Sequence, residues 1–238
     1  MQISKGIGEG ERVGHQKELN RRLLKLHGGD PFADVIRAAK VHRAAHGSAC
    51  GLYPAGPHVM RLAATLARGA RAKRILDLGT GFGYSALWLA EAAGDGAVVE
   101  AIDQFDVHVD AARRFAEKAG LSERLRFIAG EASAVLRTLH DVYDFVHDDA
   151  WFAAQPAHFD RVIELLKPGG LLTMPNWLLL TDAIAGRRHR RWARFAGPAW
   201  EKVTLTYARR LANDPRVHVT WTVSPPLALA VKDGPPAT

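Results

Sequence analysis

The chain of 238 residues contains a single cysteine, Cys50. One thiol cannot form an intrachain disulfide, and it leaves no metal cluster built from several thiolates. Hydrophobic runs are short as well, since stretches such as Trp177–Leu180 fall far below the roughly 20 residues that span a bilayer. The N-terminus lacks the apolar core of a signal peptide. We therefore expect a cytoplasmic protein in which Cys50 is a small buried residue rather than a nucleophile.

Acidic residues are outnumbered by basic ones, 25 against 32, and the formal net charge is +7. This balance permits acidic partners, nucleic acid included, but does not require them. Part of the excess lies in one run, Arg187–Arg194. The 47% hydrophobic and 24% charged residues are typical of a globular protein long enough to bury a sizeable core.

A glycine-rich segment follows a short apolar strand at Arg74–Ser85, whose sequence is Arg-Ile-Leu-Asp-Leu-Gly-Thr-Gly-Phe-Gly-Tyr-Ser. A helical pattern continues from Ser85. Glycines in such a turn let backbone N–H groups approach a ligand closely, and the helix N-terminus favours negative charge. The spacing Gly-x-Gly-x-Gly differs from the Gly-x-Gly-x-x-Gly of dinucleotide sites, because Tyr84 stands where the last glycine would be.

Two acidic residues end the strands on either side of this turn. Asp77 ends the strand before the glycines, and Asp103 ends the next apolar run. Asp103 lies about 20 residues after Gly83, where a ribose-binding carboxylate is expected. An ordinary strand-to-helix turn would explain the glycines but not both acids. Together these features resemble the S-adenosylmethionine site of class I methyltransferases.

From Arg74 onward strands alternate with helices, which is the pattern of a parallel sheet. The predicted strands are 75–78, 97–102, 125–128, 143–147, 171–174, 217–223 and 227–231. Their order is similar to the α/β, Rossmann-like class I methyltransferase fold, with a seven-stranded, mostly parallel sheet, an antiparallel last strand and helices on both faces. Helices at Gln16–Leu26 and from an N-cap at Asp30 are expected to cover the same sheet. We predict one domain over residues 1–238, in which residues 1–70 form capping helices.

Further motifs resemble the catechol and caffeoyl-CoA O-methyltransferase family. They are Leu76–Ala90, Ala119–Leu125, Gly130–Ala132 and Leu166–Leu171. The resemblance covers roughly residues 50 to 180, and the last thirty residues weakly. It implies S-adenosylmethionine as cofactor and a small acceptor with catechol-like, phenolic hydroxyls, whereas an acidic acceptor is suggested only by the basic run Arg187–Arg194. It also implies a monomer or a homodimer, and usually a divalent metal.

The resemblance also implies cofactor-binding residues. Asp77 would face the methionine end of the cofactor, and Asp103 would accept hydrogen bonds from both ribose hydroxyls. The other implied contacts are Gly79, Thr80, Gly81 and Gly83 in the turn, Ser85 on the carboxylate, and Glu131 and Ala132 beside the adenine. For Glu131 a simple role as a helix N-terminal acid is the alternative.

The metal site of the family is incomplete in this sequence. Asp149 stands at the first ligand position and Asn176 at another, but Pro175 replaces the second aspartate and Phe152 replaces a lysine. Two oxygen ligands rarely hold Mg²⁺, which requires near-octahedral coordination. We therefore predict methyl transfer to oxygen without a metal.

A reaction without metal needs another group to remove the acceptor proton. His158 is the first candidate and His147 the second, although alternation along the strand could turn His147 into the core. A structural role is the alternative for both histidines. Asp149 would remain beside the methyl donor, near the sulfonium or as an acceptor for the substrate hydroxyl.

Other functions stay open at this point. A non-catalytic protein that binds S-adenosylmethionine or S-adenosylhomocysteine is one, and a metal-dependent enzyme with an altered ligand set is another. Nucleic-acid methylation is disfavoured, because Ser224-Pro-Pro-Leu follows the sixth strand rather than the fourth and carries leucine in place of the aromatic residue. Arg187–Arg194 is a candidate flap over the acceptor site, and a solvated basic loop explains it equally well.

Overall fold

The computed structural model describes residues 9–47, 50–150, 155–175, 177–186 and 199–234. The helices are α1 Glu9–Leu26, α2 Ala33–His46, α3 Pro57–Gly69, α4 Tyr84–Ala93, α5 Asp106–Lys118, α6 Ala132–Leu136, α7 Gln155–Leu165, α8 Leu178–Ile184 and α9 Trp200–Asn213. The strands are β1 Arg74–Leu78, β2 Val98–Asp103, β3 Leu125–Ala129, β4 Tyr143–Asp148, β5 Leu166–Pro175, β6 Val217–Val223 and β7 Pro226–Lys232. Among these residues no helix combines the length and the apolar character needed to cross a membrane.

The seven strands form one sheet in the order β3-β2-β1-β4-β5-β7-β6. Strands β1 to β5 are parallel, and β7 runs antiparallel to both of its neighbours, β5 and β6. The predicted mostly parallel sheet with an antiparallel last strand is therefore confirmed. The strand order reverses between β1 and β4, and ligands of open α/β sheets bind at the carboxyl ends of strands at such a point.

Two hydrophobic clusters pack against the sheet. Ile75 and Leu76 are neighbours on β1, and their side chains point to opposite faces. They belong to different clusters, so the sheet separates the two cores. The first cluster includes Val35 of α2 and Met60 of α3, and the second includes Tyr207 of α9. Burial of these apolar faces fixes the helices around the strand ends that carry the acidic residues.

Some element boundaries differ from the sequence prediction. The first helix begins at Glu9 rather than at the predicted Gln16, and it ends at Leu26 as predicted. Asp30 is not a helix N-cap, because α2 begins three residues later and has Phe32 at that position. Instead an Asp30 carboxylate oxygen accepts a hydrogen bond from the Phe32 N–H at 3.0 Å, which shapes the turn before the helix.

Candidate functional site

The glycine turn between β1 and α4 requires glycine for steric reasons. Gly79, Gly81 and Gly83 have positive φ angles of 78°, 55° and 84°. A Cβ at Gly79 would lie 2.5 Å from the carbonyl oxygen of Asp149, and one at Gly81 would lie 2.6 Å from Leu52 Cδ1. The connection after β4 and the segment before α3 therefore approach the turn more closely than any larger residue allows.

Asp77 is the last residue but one of β1, just before this turn, and it is fully buried. Ser85 Oγ donates a hydrogen bond to Asp77 Oδ2 at 2.7 Å. Burial raises the pKa of Asp77 to about 6; hydrogen bonds from Thr80 and Ser85 oppose this increase, and the charges of two nearby aspartates add to it. Within the described residues Asp77 forms no ion pair with a lysine, arginine or histidine. A cationic ligand group would thus favour the ionised carboxylate.

Asp103 ends β2 and lies at the same edge of the sheet, because Asp77 and Leu78 are paired with Ala101 and Ile102. Its Oδ2 accepts a hydrogen bond from the Gly81 N–H at 2.9 Å. Its Oδ1 lies 3.0 Å from the N–H of Phe105 and 3.0 Å from His108 Nδ1. A carboxylate has about four lone-pair sites, so Oδ2 keeps acceptor capacity for a ligand hydroxyl.

Glu131 and Ala132 follow β3 at the start of α6. The Glu131 side chain caps the helix, accepting hydrogen bonds from the N–H groups of Ser133 at 3.0 Å and Ala134 at 2.8 Å. These bonds lower the pKa of Glu131 although burial opposes them. The role of Glu131 as a helix N-terminal acid, held open as an alternative, is thus present in the structure, and its carboxylate is fixed at this edge of the sheet.

His147 lies on β4 and is fully buried. Its Nδ1 is 2.8 Å from Thr173 Oγ1 on the neighbouring strand β5. Burial lowers the pKa of His147 to about 4, and the nearby Asp148 carboxylate opposes the shift only in part. The imidazole is therefore neutral at pH 7 and lies within the sheet, as the alternation along the strand had allowed.

His158 of α7 pairs with a carboxylate that sequence reasoning did not single out. His158 Nε2 is 2.9 Å from Asp148 Oδ2, and its Nδ1 is 3.5 Å from Ser133 Oγ. Burial lowers the pKa of His158, but Asp148 raises it by more, and the net pKa is above its usual value. Because Asp148 fixes Nε2 as the donor, the basic nitrogen of neutral His158 is Nδ1, which faces Ser133.

The adjacent Asp148-Asp149 pair at the end of β4 was the signal that could have found this arrangement. Successive side chains along a strand point to opposite faces of the sheet, so the two carboxylates of such a pair have different surroundings. Asp148 is buried, whereas Asp149 is half-buried and donates its N–H to the Leu78 carbonyl at 2.9 Å. Asp149 is thereby held against the end of β1.

One ligand position of the divalent-metal site expected from the resemblance is lost at this edge. Pro175, at the second aspartate position, pairs with Leu227 of β7 and has no side-chain donor atom. Within the described chain, no group of three histidine, cysteine or acidic side chains converges around Asp149. Phe152, Asn176 and the Arg187–Arg194 run lie outside the described residues.

Comparisons with known proteins identify the family of the chain. A family model described as O-methyltransferase matches residues 58–233. A Mycobacterium tuberculosis protein named as an O-methyltransferase is 34% identical over 192 residues, covering 79% of this chain and 80% of its own. A Mycolicibacterium vanbaalenii protein of the same name is 36% identical over 172 residues, with 71% and 74% covered.

Solved structures show the same fold. The O-methyltransferase of Bacillus cereus in complex with S-adenosylhomocysteine has a TM-score of 0.70 and 24% identity, with 84% of this chain and 90% of that chain covered. A Staphylococcus aureus protein described as a caffeoyl-CoA O-methyltransferase has a TM-score of 0.75 and 22% identity, with 92% and 99% covered.

We expect Asp77→Asn to stabilise the protein at pH 7 and to weaken binding of S-adenosylmethionine. The folded-state pKa of about 6 exceeds the ordinary value of 3.8, so ionisation of Asp77 destabilises the fold increasingly as pH rises between these values. Removing the charge should raise the free energy of unfolding at pH 7 by about 1–3 kcal/mol. Urea unfolding from pH 4 to 8 measures the gain, and calorimetry measures the cofactor affinity.

The control for this experiment is Asp106→Asn, which removes an exposed carboxylate at the start of α5. It should leave both quantities unchanged. A variant at Asp77 that is less stable than the parent at pH 7, with the pH dependence unaltered, would show that the buried charge is not destabilising.

Proposed function

The chain belongs to the O-methyltransferase family, and from this premise we propose that it methylates a hydroxyl oxygen of a small molecule without using a divalent metal. S-adenosylmethionine supplies the methyl group on a sulfonium sulfur, which leaves as a neutral thioether. The observation that carries the proposal is the arrangement of the glycine turn between Asp77 and Asp103 at the point where the strand order reverses. The chain's own task is to hold the two reactants in line and to take up the acceptor proton.

Two carboxylates, those of Asp77 and Asp103, are the main contacts proposed for the cofactor. Asp103 would accept hydrogen bonds from the ribose hydroxyls. Its Oδ2 has lone-pair capacity for them beyond the hydrogen bond that it accepts from the Gly81 N–H. Asp77 would lie beside the cationic ammonium of the methionine end, because it is a buried carboxylate without an ion pair among the described residues. Ser85, which donates to Asp77, lies in the first turn of α4, where the helix dipole favours the cofactor carboxylate.

The remaining contacts follow the carboxyl edge of the sheet. Gly79, Thr80, Gly81 and Gly83 would line the cofactor with little side-chain bulk. Glu131 and Ala132 would lie beside the adenine, since β3 places them next to the end of β2. Asp103 at the end of β2 is paired with Ala129 at the end of β3, and this pairing places Glu131 and Ala132 close to Asp103.

The group proposed to take the proton is His158, acting through the hydroxyl of Ser133. His158 is buried, but Ser133 is half-exposed and its Oγ is 3.5 Å from His158 Nδ1. The acceptor would pass its proton to the serine hydroxyl as the serine proton moves to Nδ1, and Asp148 would stabilise the resulting imidazolium. His147, the second candidate, is less suited because its pKa is about 4 and Thr173 occupies one of its nitrogens.

Asp149 is proposed to lie beside the reacting methyl group. Its backbone is fixed against the end of β1 and against the glycine turn, where the carbonyl oxygen leaves no room for a Cβ at Gly79. A half-buried carboxylate here would favour the positive sulfonium or accept a hydrogen bond from the acceptor hydroxyl.

We propose a single domain over residues 1–238, supported by the way α2 packs into the first core. A cytoplasmic location and a homodimer remain predictions from the sequence. The acceptor is proposed to be phenolic or acidic, and the Arg187–Arg194 run would attract an acidic one.

Asp103→Asn should weaken binding of S-adenosylhomocysteine at least tenfold, equivalent to about 1.4 kcal/mol. A hydrogen bond to a charged acceptor contributes about 1.5–3 kcal/mol, and the amide offers the ribose a neutral acceptor instead. Titration calorimetry measures the affinity, and thermal unfolding checks that the loss of partners for Gly81 and His108 has not unfolded the chain. Asp106→Asn is the matched control; an unchanged affinity in a folded Asp103 variant would remove Asp103 from the site.

His158→Gln should lower kcat by about 10²–10⁴ and flatten its dependence on pH. In the parent protein kcat should rise with pH, with its midpoint above 6.5, because the pKa of His158 is raised above that usual value. His140→Gln, at an exposed histidine, should retain the parent profile. A His158 variant that keeps the profile and changes only the cofactor KM would instead show that His158 positions the start of α6.

Activity should survive exhaustive treatment with EDTA. Pro175 supplies no ligand beside Asp149, so the reaction is not expected to depend on Mg²⁺, Mn²⁺ or Ca²⁺. Initial rates before chelation, after chelation and after adding back each ion provide the measurement. Loss on chelation with recovery by one of these ions would mean that Asp149 and Asn176 recruit a further oxygen ligand.

A further inference from the structure

A second group of potential ligands lies beside Asp103 and packs against Phe82 of the glycine turn, whose ring centroid is 5.1 Å from that of His42 and 5.5 Å from that of His108. It consists of His42 on α2, Cys50 in the connection from α2 to α3, and His108 on α5. Their donor atoms all lie within 4.8 Å of one another, and no other group of three such side chains occurs among the described residues. Cys50 and His108 are buried, and His42 is half-buried.

The separations are close to those of a tetrahedral metal site. Bonds of about 2.3 Å from zinc to sulfur and 2.0–2.1 Å to nitrogen place the donor atoms roughly 3.3–3.7 Å apart. Cys50 Sγ is already 3.7 Å from His108 Nε2. The His42 donor lies within 4.8 Å of the other two, so its ring is the part of the group that would move to complete the site.

The orientation of His108 is the feature that distinguishes this group from a chance cluster. His108 Nδ1 is 3.0 Å from Asp103 Oδ1, so the N–H proton is on Nδ1 and the lone pair of Nε2 faces Cys50. Metal-binding histidines commonly donate their second N–H to a carboxylate in this way, which fixes the ring and increases its basicity.

The other two ligands are held together by their neighbours. Arg43, next to His42, donates a hydrogen bond to the Leu52 carbonyl at 2.9 Å, and its guanidinium lies 4.5 Å from the Tyr53 ring centroid. These contacts fasten the segment that follows Cys50 to α2.

We propose that His42, Cys50 and His108 bind a Zn²⁺ ion. Two imidazoles and one thiolate suit zinc, whereas Mg²⁺ and Ca²⁺ prefer oxygen ligands, so this site is distinct in chemistry from the metal site of the family. Three protein ligands leave a fourth position for water. The ion would join α2 and the α2–α3 connection to α5, and it would lie one hydrogen bond from Asp103.

The test uses the full chain after removal of metals by a chelator. Titration with Zn²⁺ in competition with a chromophoric chelator should give one equivalent bound. Co²⁺ as a spectroscopic probe should show the visible bands of tetrahedral cobalt and a thiolate-to-cobalt charge-transfer band. Cys50→Ser should abolish the charge-transfer band, and both Cys50→Ser and His42→Gln should weaken Zn²⁺ binding at least tenfold.

His218→Gln is the matched control, because His218 is an exposed histidine on β6 at the opposite edge of the sheet from α5 and β3. It should bind Zn²⁺ as the parent does. Thermal unfolding in the presence of chelator verifies that each variant is folded, and His42→Gln keeps the test decisive if the cysteine variant is not. Binding that is absent in the parent, or equal in the parent and in the folded His42 variant, would overturn the proposal.

Discussion

The carboxylate of Asp103 ties together three parts of the chain that are distant in sequence. It accepts hydrogen bonds from the glycine turn at Gly81 and from the start of α5 at Phe105, and it orients the His108 ring beneath the capping helices. A buried carboxylate satisfied by N–H donors is held in one orientation, because any rotation would leave a donor unpaired. The cofactor edge of the sheet therefore has its geometry set before any ligand arrives.

The same edge concentrates negative charge in a protein whose net charge is +7. Asp77, Asp103 and Asp148 all end neighbouring strands and are all buried. Burial is the main cause of the raised pKa of Asp77, and the charges of the other two add to it. Such a site favours a ligand that carries positive charge, and a sulfonium with an adjacent ammonium has that property.

The sequence was sufficient to predict the sheet, the glycine turn and the two acids at its sides. Each follows from local pattern, since apolar runs give strands and glycine spacing gives the turn. The Asp148–His158 pair could not be predicted in the same way, because α7 must first pack against β4 before the two side chains meet. Likewise, the approach of Asp149 to Gly79 depends on the order of β1 and β4 in the sheet.

Helix starts were predicted less well than strands. Asp30 and Pro31 have the residue types of an N-cap and a first turn, yet the helix begins at Ala33. Tertiary contacts decide this position, because the second carboxylate oxygen of Asp30 accepts a hydrogen bond from the hydroxyl of Tyr84 at 2.9 Å. No pattern within residues 28 to 34 reveals a partner on α4.

The packing of α2 also extends the first core beyond the segment that the family model matches. The family match begins at residue 58, but the first core already includes Phe32 and Val35, and Phe32 packs edge-on against Trp88 of α4 at 5.9 Å. A chimera in which a relative's residues replaced only the matched segment would have a complete sheet. The side chains of Phe32 and Val35 would then pack against residues of the relative instead of their own partners. A stable exchange of the sheet between relatives therefore requires moving the capping helices together with it.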